Sequence, residues 1–183
     1  MIRSIHSSDF LICKDDIIYD YQNDLTGKLD NIATDFEQNI INEIVLWKTN
    51  RYSKISDSTF KILNSISPNI DLIDTELTKK VLKALINENG IQLPMASTIL
   101  RFKNSRIYQI IDQRVYRILY GKPLKLSSYK SDIKINSQID LYLCYLIDLR
   151  QASERLNIPF DKADRILYEA DKRLNKMETL DNY

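Results

Sequence analysis

Three glycines and four prolines are the only strong chain-breakers in 183 residues. Hairpins and tight turns consume those residue types repeatedly, so the composition disfavours a many-turned β architecture and points to helical segments. A hydrophobic share of 44% and a charged share of 28% belong to a globular chain, not a disordered one. The expectation is an all-α fold, with residues 34–183 as a single helical domain. Residues 1–33 precede it, and their run FLICKDDIIYDY reads equally as a helix or as a pair of short extended pieces.

Apolar spacing divides the chain further. From Thr34, residues Phe36, Ile40, Ile41, Ile44, Val45 and Trp47 fall on one helical stripe, with Asp35 and Glu37 expected in the first turn, where the dipole favours acids. Ser56 to Ile66 reads as a shorter helix, broken by Ser67-Pro68-Asn69. Leu77, Val81, Leu82, Leu85 and Ile86 repeat at helical spacing, with Thr75 as the expected cap and Gly90 as terminator. Pro94 suits the first turn of a helix through MASTILRFK. Asp112 opens DQRVYRILYG, in which Val115, Ile118 and Leu119 face inward, Tyr116 faces outward and Gly121 ends the run. Residues 122–136 are polar and basic and read as a loop. Ser137 with Asp140 then caps a long helix that Asn157-Ile158-Pro159 ends. Asp161 and Asp164 start a last helix, KADRILYEADKRLNK. Its acids Asp161, Asp164, Glu169 and Asp171 are most simply a solvated face, the alternative being that Asp164 and Arg165 line the back of a cleft.

Several functions are disfavoured. Cys13 and Cys144 are far apart in apolar neighbourhoods, which points to buried thiols in a reducing compartment and away from a disulfide or metal site. With His6 as the single histidine, a zinc or histidine-based centre has almost no ligands. No metal and no cofactor are expected. The N-terminus lacks a signal peptide's apolar run, and no stretch approaches the roughly 18 consecutive apolar residues of a membrane helix. The expected location is cytoplasmic, without a membrane partner; the oligomeric state is left open.

Positive charge is concentrated in one stretch. From Arg101 to Lys134 there are nine Lys and Arg (Arg101, Lys103, Arg106, Arg114, Arg117, Lys122, Lys125, Lys130, Lys134) against Asp112 and Asp132, a net of +7 in a chain whose total is +1. Just before it, the turn Asn89-Gly90-Ile91-Gln92 joins two expected helices. Free amides at a helix N-terminus and the positive end of its dipole aim at one spot, which suits a phosphate. With Gly90 and Gln92 in the turn, and Arg101, Lys103, Arg106, Arg114 and Arg117 around it, the segment would hold the backbone of double-stranded DNA without reading its sequence. An ordinary αα-hairpin with a solvated basic surface is the other reading of that turn.

Taken together, GIQLPMASTIL and the following IIDQRVYRILYG resemble the helix-hairpin-helix DNA glycosylase superfamily, which contains endonuclease III and the adenine-mismatch and 8-oxoguanine glycosylases. In that family a Leu-Pro-Gly-apolar-Gly hairpin leads into a helix. An apolar pair plus aspartate, two variable residues and an apolar-x-Arg helix then supply the catalytic acid. Ile110-Ile111-Asp112, Val115 and Arg117-Ile118 match this second part. In the first part Gly90 occupies the position of the first glycine and Ile91 the apolar one, while Gln92 replaces the second glycine, where a side chain hinders close approach of the backbone to a phosphate. The resemblance spans residues 75–121. It implies a trimmed, DNA-glycosylase-like fold containing a helix-hairpin-helix motif, with Asp112 as the catalytic acid. The family's Schiff-base lysine falls on Pro94, eighteen residues before Asp112, so lyase chemistry is not implied. Two distant cysteines cannot supply the four that an iron–sulfur cluster requires.

The role implied for Asp112 is to stabilise positive charge developing on the sugar of a flipped-out nucleotide, or to activate water. Aspartate directly before a helix is also a preferred N-cap, worth about 1 kcal/mol, and the two roles are compatible. Trp47, beside Lys48, Arg51 and Tyr52, continues the apolar stripe of its helix, which points to core packing; stacking on an extruded base is its alternative, shared with Tyr116. Three functions compete: a monofunctional DNA N-glycosylase of base excision repair, a non-catalytic nucleic-acid-binding relative, and a helical protein-interaction module.

Overall fold

The computed structural model describes residues 11–17, 21–51, 53–127 and 131–180. His6, Tyr52 and Lys130 lie outside the described residues. Among the described residues the secondary structure is wholly helical, as the scarcity of turn formers predicts. A 3-10 turn at Lys14–Ile17 is followed by α1 (Asn23–Asp30), α2 (Gln38–Lys48), α3 (Asp57–Asn64), α4 (Thr75–Asn87), α5 (Leu93–Lys103), α6 (Gln113–Tyr120) and α7 (Asp132–Leu156). A second 3-10 turn, Phe160–Lys162, leads into α8 (Ala163–Leu174). None of these helices is long and apolar enough to cross a membrane. The chain groups into two compact units, Met1–Tyr52 and Ser53–Tyr183.

In the N-terminal unit α1 packs on α2. Trp47 joins them: its indole N–H donates to Thr26 Oγ1 at 2.9 Å, and its ring meets Tyr21 edge-on at 5.3 Å. Tyr21 in turn donates to the Trp47 carbonyl at 2.9 Å. The rest of the expected stripe is not a buried one, for α2 has no buried residue and Phe36, Ile41 and Val45 are exposed. Asp35 and Glu37 precede the helix, with Glu37 at the cap.

In the C-terminal unit α4 packs against α3, α5 and α7, and α6 lies along α8. Local chemistry sets the helix starts. Ser56 caps α3 by accepting from the Thr59 amide, and Asp74, not Thr75, caps α4 by accepting from the Leu77 amide at 2.9 Å. Gly90 has φ +76, the left-handed conformation that the α4–α5 turn requires. Helix α7 begins at Asp132 under a Ser131 cap, several residues before the Ser137 start expected from its pattern. Burial explains the extension, because Ile135 and Ile139 continue the inward stripe of Tyr142, Leu146 and Leu149. Cys144 lies off that stripe and is exposed, as is Cys13, so the expected burial of both thiols is corrected.

Between α5 and α6 the chain runs from residue 104 to 112 without regular structure, yet Ile107, Tyr108, Gln109 and Ile111 are among its most buried residues. Buried irregular backbone must find partners outside a helical ladder. Here they come from side chains of three helices. Ser97 Oγ on α5 accepts from the Ile111 amide at 3.2 Å, while Tyr142 and Tyr145 on α7 donate to the Gln109 and Ile110 carbonyls at 2.8 and 2.6 Å. Asp164 on α8 accepts from the Ile110 amide at 3.1 Å. Asn104 fastens the other end, donating to the Ser67 and Ile70 carbonyls. Burial pushes the Tyr142 and Tyr145 hydroxyl pKa values well up, which keeps both groups as donors. Removing one such hydroxyl leaves a buried carbonyl unpaired. Tyr145→Phe is expected to lower unfolding free energy by about 1–3 kcal/mol, whereas Cys144→Ser on the exposed side of the same helix changes it by less than about 0.5 kcal/mol. Urea titration of both variants distinguishes the two effects, and equal stability of Tyr145→Phe and wild type contradicts the pairing role.

Candidate functional site

The anchored connector delivers Asp112 to the start of α6. Its Oδ1 accepts from the Val115 amide at 2.8 Å, the N-cap geometry that its position predicts. The other side of the residue is open. Asp112 lines a cavity of about 400 Å³ together with Ile110 and four residues of the α8 face, Asp164, Arg165, Tyr168 and Glu169. Burial raises the Asp112 carboxyl pKa; the Val115 and Arg114 amides pull it down, the nearby Asp164 charge pushes it up, and the Arg114 charge pulls it down, with a net rise. A half-buried acid at the edge of a cavity can hold or take up a proton, or face developing positive charge.

The neighbouring cations are arranged differently from a free basic ridge. Asp171 of α8, at 0% exposure, receives Arg117 in a two-point bond of 3.0 and 2.7 Å, Arg114 at 3.2 Å, and the Asn175 amide at 2.7 Å. Burial alone would raise the Asp171 pKa, but the Arg117, Asn175 and Arg114 hydrogen bonds bring it below the ordinary carboxylate value. Arg101, 8% exposed, donates to the Asp161 carbonyl at 3.0 Å and places Nε 3.7 Å from Asp164. The acids of α8 expected on a solvated face are therefore corrected in two places: Asp164 and Asp171 are buried, because three arginines of the basic stretch supply their partners.

The remaining predicted residues separate into groups. Arg106 is exposed and pairs with Asp71 at 3.0 Å, and Lys103 donates to Asn64 at 3.2 Å. Gly90 and Gln92 are exposed in the α4–α5 turn, where Gln92 occupies the α5 cap position without a side-chain cap bond. Pro94 sits in the first turn of α5, as expected. Tyr116, expected to face outward, is instead 8% exposed with its ring 4.5 Å from Tyr120. Trp47 belongs to the other unit and is occupied by Thr26 and Tyr21. Among the described residues no group of three His, Cys, Asp or Glu side chains is placed to hold a metal ion.

The cavity residues least visible in the sequence are Tyr168 and Glu169. Their signal is spacing: Asp164 with Tyr168, and Arg165 with Glu169, are i,i+4 pairs on one face of α8. Comparison of the chain with protein-family models, curated proteins and solved structures finds no match.

Asp171→Asn removes the charge shared by Arg114 and Arg117, and its expected cost at neutral pH is about 3 kcal/mol. Since the folded-state pKa lies below 3.8, the stabilisation is present above that value and disappears as pH falls through the lower folded-state one. Wild-type and variant stabilities thus converge in acid. Urea denaturation at neutral pH and below the carboxylate range measures this, and an undiminished gap in acid contradicts the ion-pair account.

Proposed function

We propose that this chain is a trimmed helix-hairpin-helix, DNA-glycosylase-like protein of base excision repair, in which an extruded nucleotide enters the cavity beside α6 and α8 and loses its base with the help of Asp112. The observation that carries this reading is the Asp112 carboxyl lining an open cavity with a raised pKa, instead of being walled in as a cap alone. Water adds to the anomeric carbon as the base departs with the electron pair of the N-glycosidic bond, and Asp112 accepts the proton that water gives up. A carboxylate with raised proton affinity is better matched to that step near neutral pH than an exposed one. Pro94 offers no amine, so the product is an abasic site and not a cleaved strand. Arg101, Arg114 and Arg117 act by fixing α8. Phosphate holding then falls to the Gly90–Gln92 turn, Lys103, Arg106 and Arg165.

A helical protein-interaction module is the second reading, favoured by the internal pairing of those three arginines. Two buried acids, Asp164 and Asp171, offset most of their charge, which weakens the field available to a polyanion.

Incubation with duplexes carrying a panel of damaged or mismatched bases, followed by alkali, tests the enzyme reading. Asp112→Asn keeps a good N-cap and removes the proton acceptor, so the variant is expected to fold and to excise at least about 100-fold more slowly. Equal strand cleavage by both proteins, or none by the wild type on any lesion, overturns this reading. In DNA binding, Arg106→Glu is expected to flatten the slope of log affinity against log salt by about 0.9. Affinity indifferent to salt favours the protein-interaction module.

A further inference from the structure

Asp164 is buried to 2% exposure in the first turn of α8, with a backbone amide bonded to each carboxylate oxygen. One oxygen accepts from the Ile110 amide at 3.1 Å, two residues before Asp112, and the other accepts from the Arg165 amide at 2.6 Å. Its own amide donates to the Gln109 side chain at 3.4 Å. The same carboxylate lines the cavity with Asp112. Arg101 Nε, buried and without a hydrogen-bond partner, lies 3.7 Å behind it. We propose that Asp164 is the positioning residue for Asp112, fixing that carboxyl through the Ile110 amide and through its place in the shared cavity. The proposal rests on the glycosylase-like reading for its chemical use.

A counterion for Arg101 would explain burial of an acid, but not its bond to the connector or its place in the cavity. The Asp164 charge beside Asp112 disfavours ionisation of Asp112, so Asp164 also bears on when Asp112 holds a proton. The other groups facing Asp112 are Arg114 on its own helix, Arg165, Tyr168 and Glu169 on α8, and Tyr145 on α7. Those on α8 are on or beside the turn that Asp164 fastens.

The test is a carboxyl-carbon NMR titration of Asp112 in the full chain, wild type against Asp164→Asn, with the pH dependence of base excision measured alongside. In Asp164→Asn the Asp112 titration is expected to move to lower pH by about half a unit or more, with the acid limb of the rate profile moving equally and KM little changed. A folded variant in which neither moves overturns the proposal. If Asp164→Asn does not fold, the wild-type Ile110 amide proton serves instead. It is expected to shift with pH through the Asp112 transition and to exchange slowly; an amide insensitive to that transition overturns the proposal. A moved titration, with the wild-type Ile110 amide responding to the Asp112 transition but no excision on any lesion, supports Asp164 as positioning residue and removes only the glycosylase reading.

Discussion

The constraint on which this structure depends is the pairing of a buried, non-helical backbone. Nine residues between α5 and α6 cross the interior without a ladder of their own. Each buried amide and carbonyl left unpaired would cost about 1–3 kcal/mol. The solution is a set of polar side chains reaching inward from α5, α7 and α8, among them two tyrosines that fill core volume with their rings and satisfy carbonyls with their tips. Because these bonds converge on Gln109, Ile110 and Ile111, the residue that follows them has its main chain fixed from several directions. Asp112 owes its placement to that convergence more than to its own cap bond.

Charge is organised by a parallel rule. A segment of net +7 meets the acids of α8, and the strongest of these encounters is the buried Asp171 with Arg114 and Arg117. A buried carboxylate is tolerated only with donors of this kind, and the planar guanidinium of Arg117 supplies two at once. The arginines that would make the segment a polyanion grip in sequence are thus partly committed to holding α6 on α8. Of the exposed cations in the segment, Arg106 is itself paired with Asp71, and Lys103 donates to Asn64.

Much of this fold was legible in the residues. Periodicity and scarce glycine gave the helices, Pro94 and Gly90 gave the turn between α4 and α5, and Asp112 gave the cap of α6. What local pattern cannot carry is the identity of a distant partner. Asp164 and Asp171 look like solvent-facing acids until Arg101 and Arg117, more than fifty residues earlier, are brought beside them. Tyr116 looks outward from the spacing of Val115 and Leu119, but the packing of α6 on α8 and the neighbouring Tyr120 ring broaden the buried side of a short helix. The early start of α7 is likewise decided by burial of Ile135, not by its polar residues. For the site, the acid at its edge was visible and its α8 wall was visible only in part, because Tyr168 and Glu169 carry no motif of their own.

The lone tryptophan has a separate consequence. Trp47 lies wholly within the N-terminal unit, wedged between Thr26 and Tyr21, whereas the buried tyrosines Tyr108, Tyr142 and Tyr145 belong to the other. Light absorbed selectively by indole is therefore emitted from α1 and α2 alone. The indole emission spectrum thus reports the state of the N-terminal unit separately, from a single unlabelled chain.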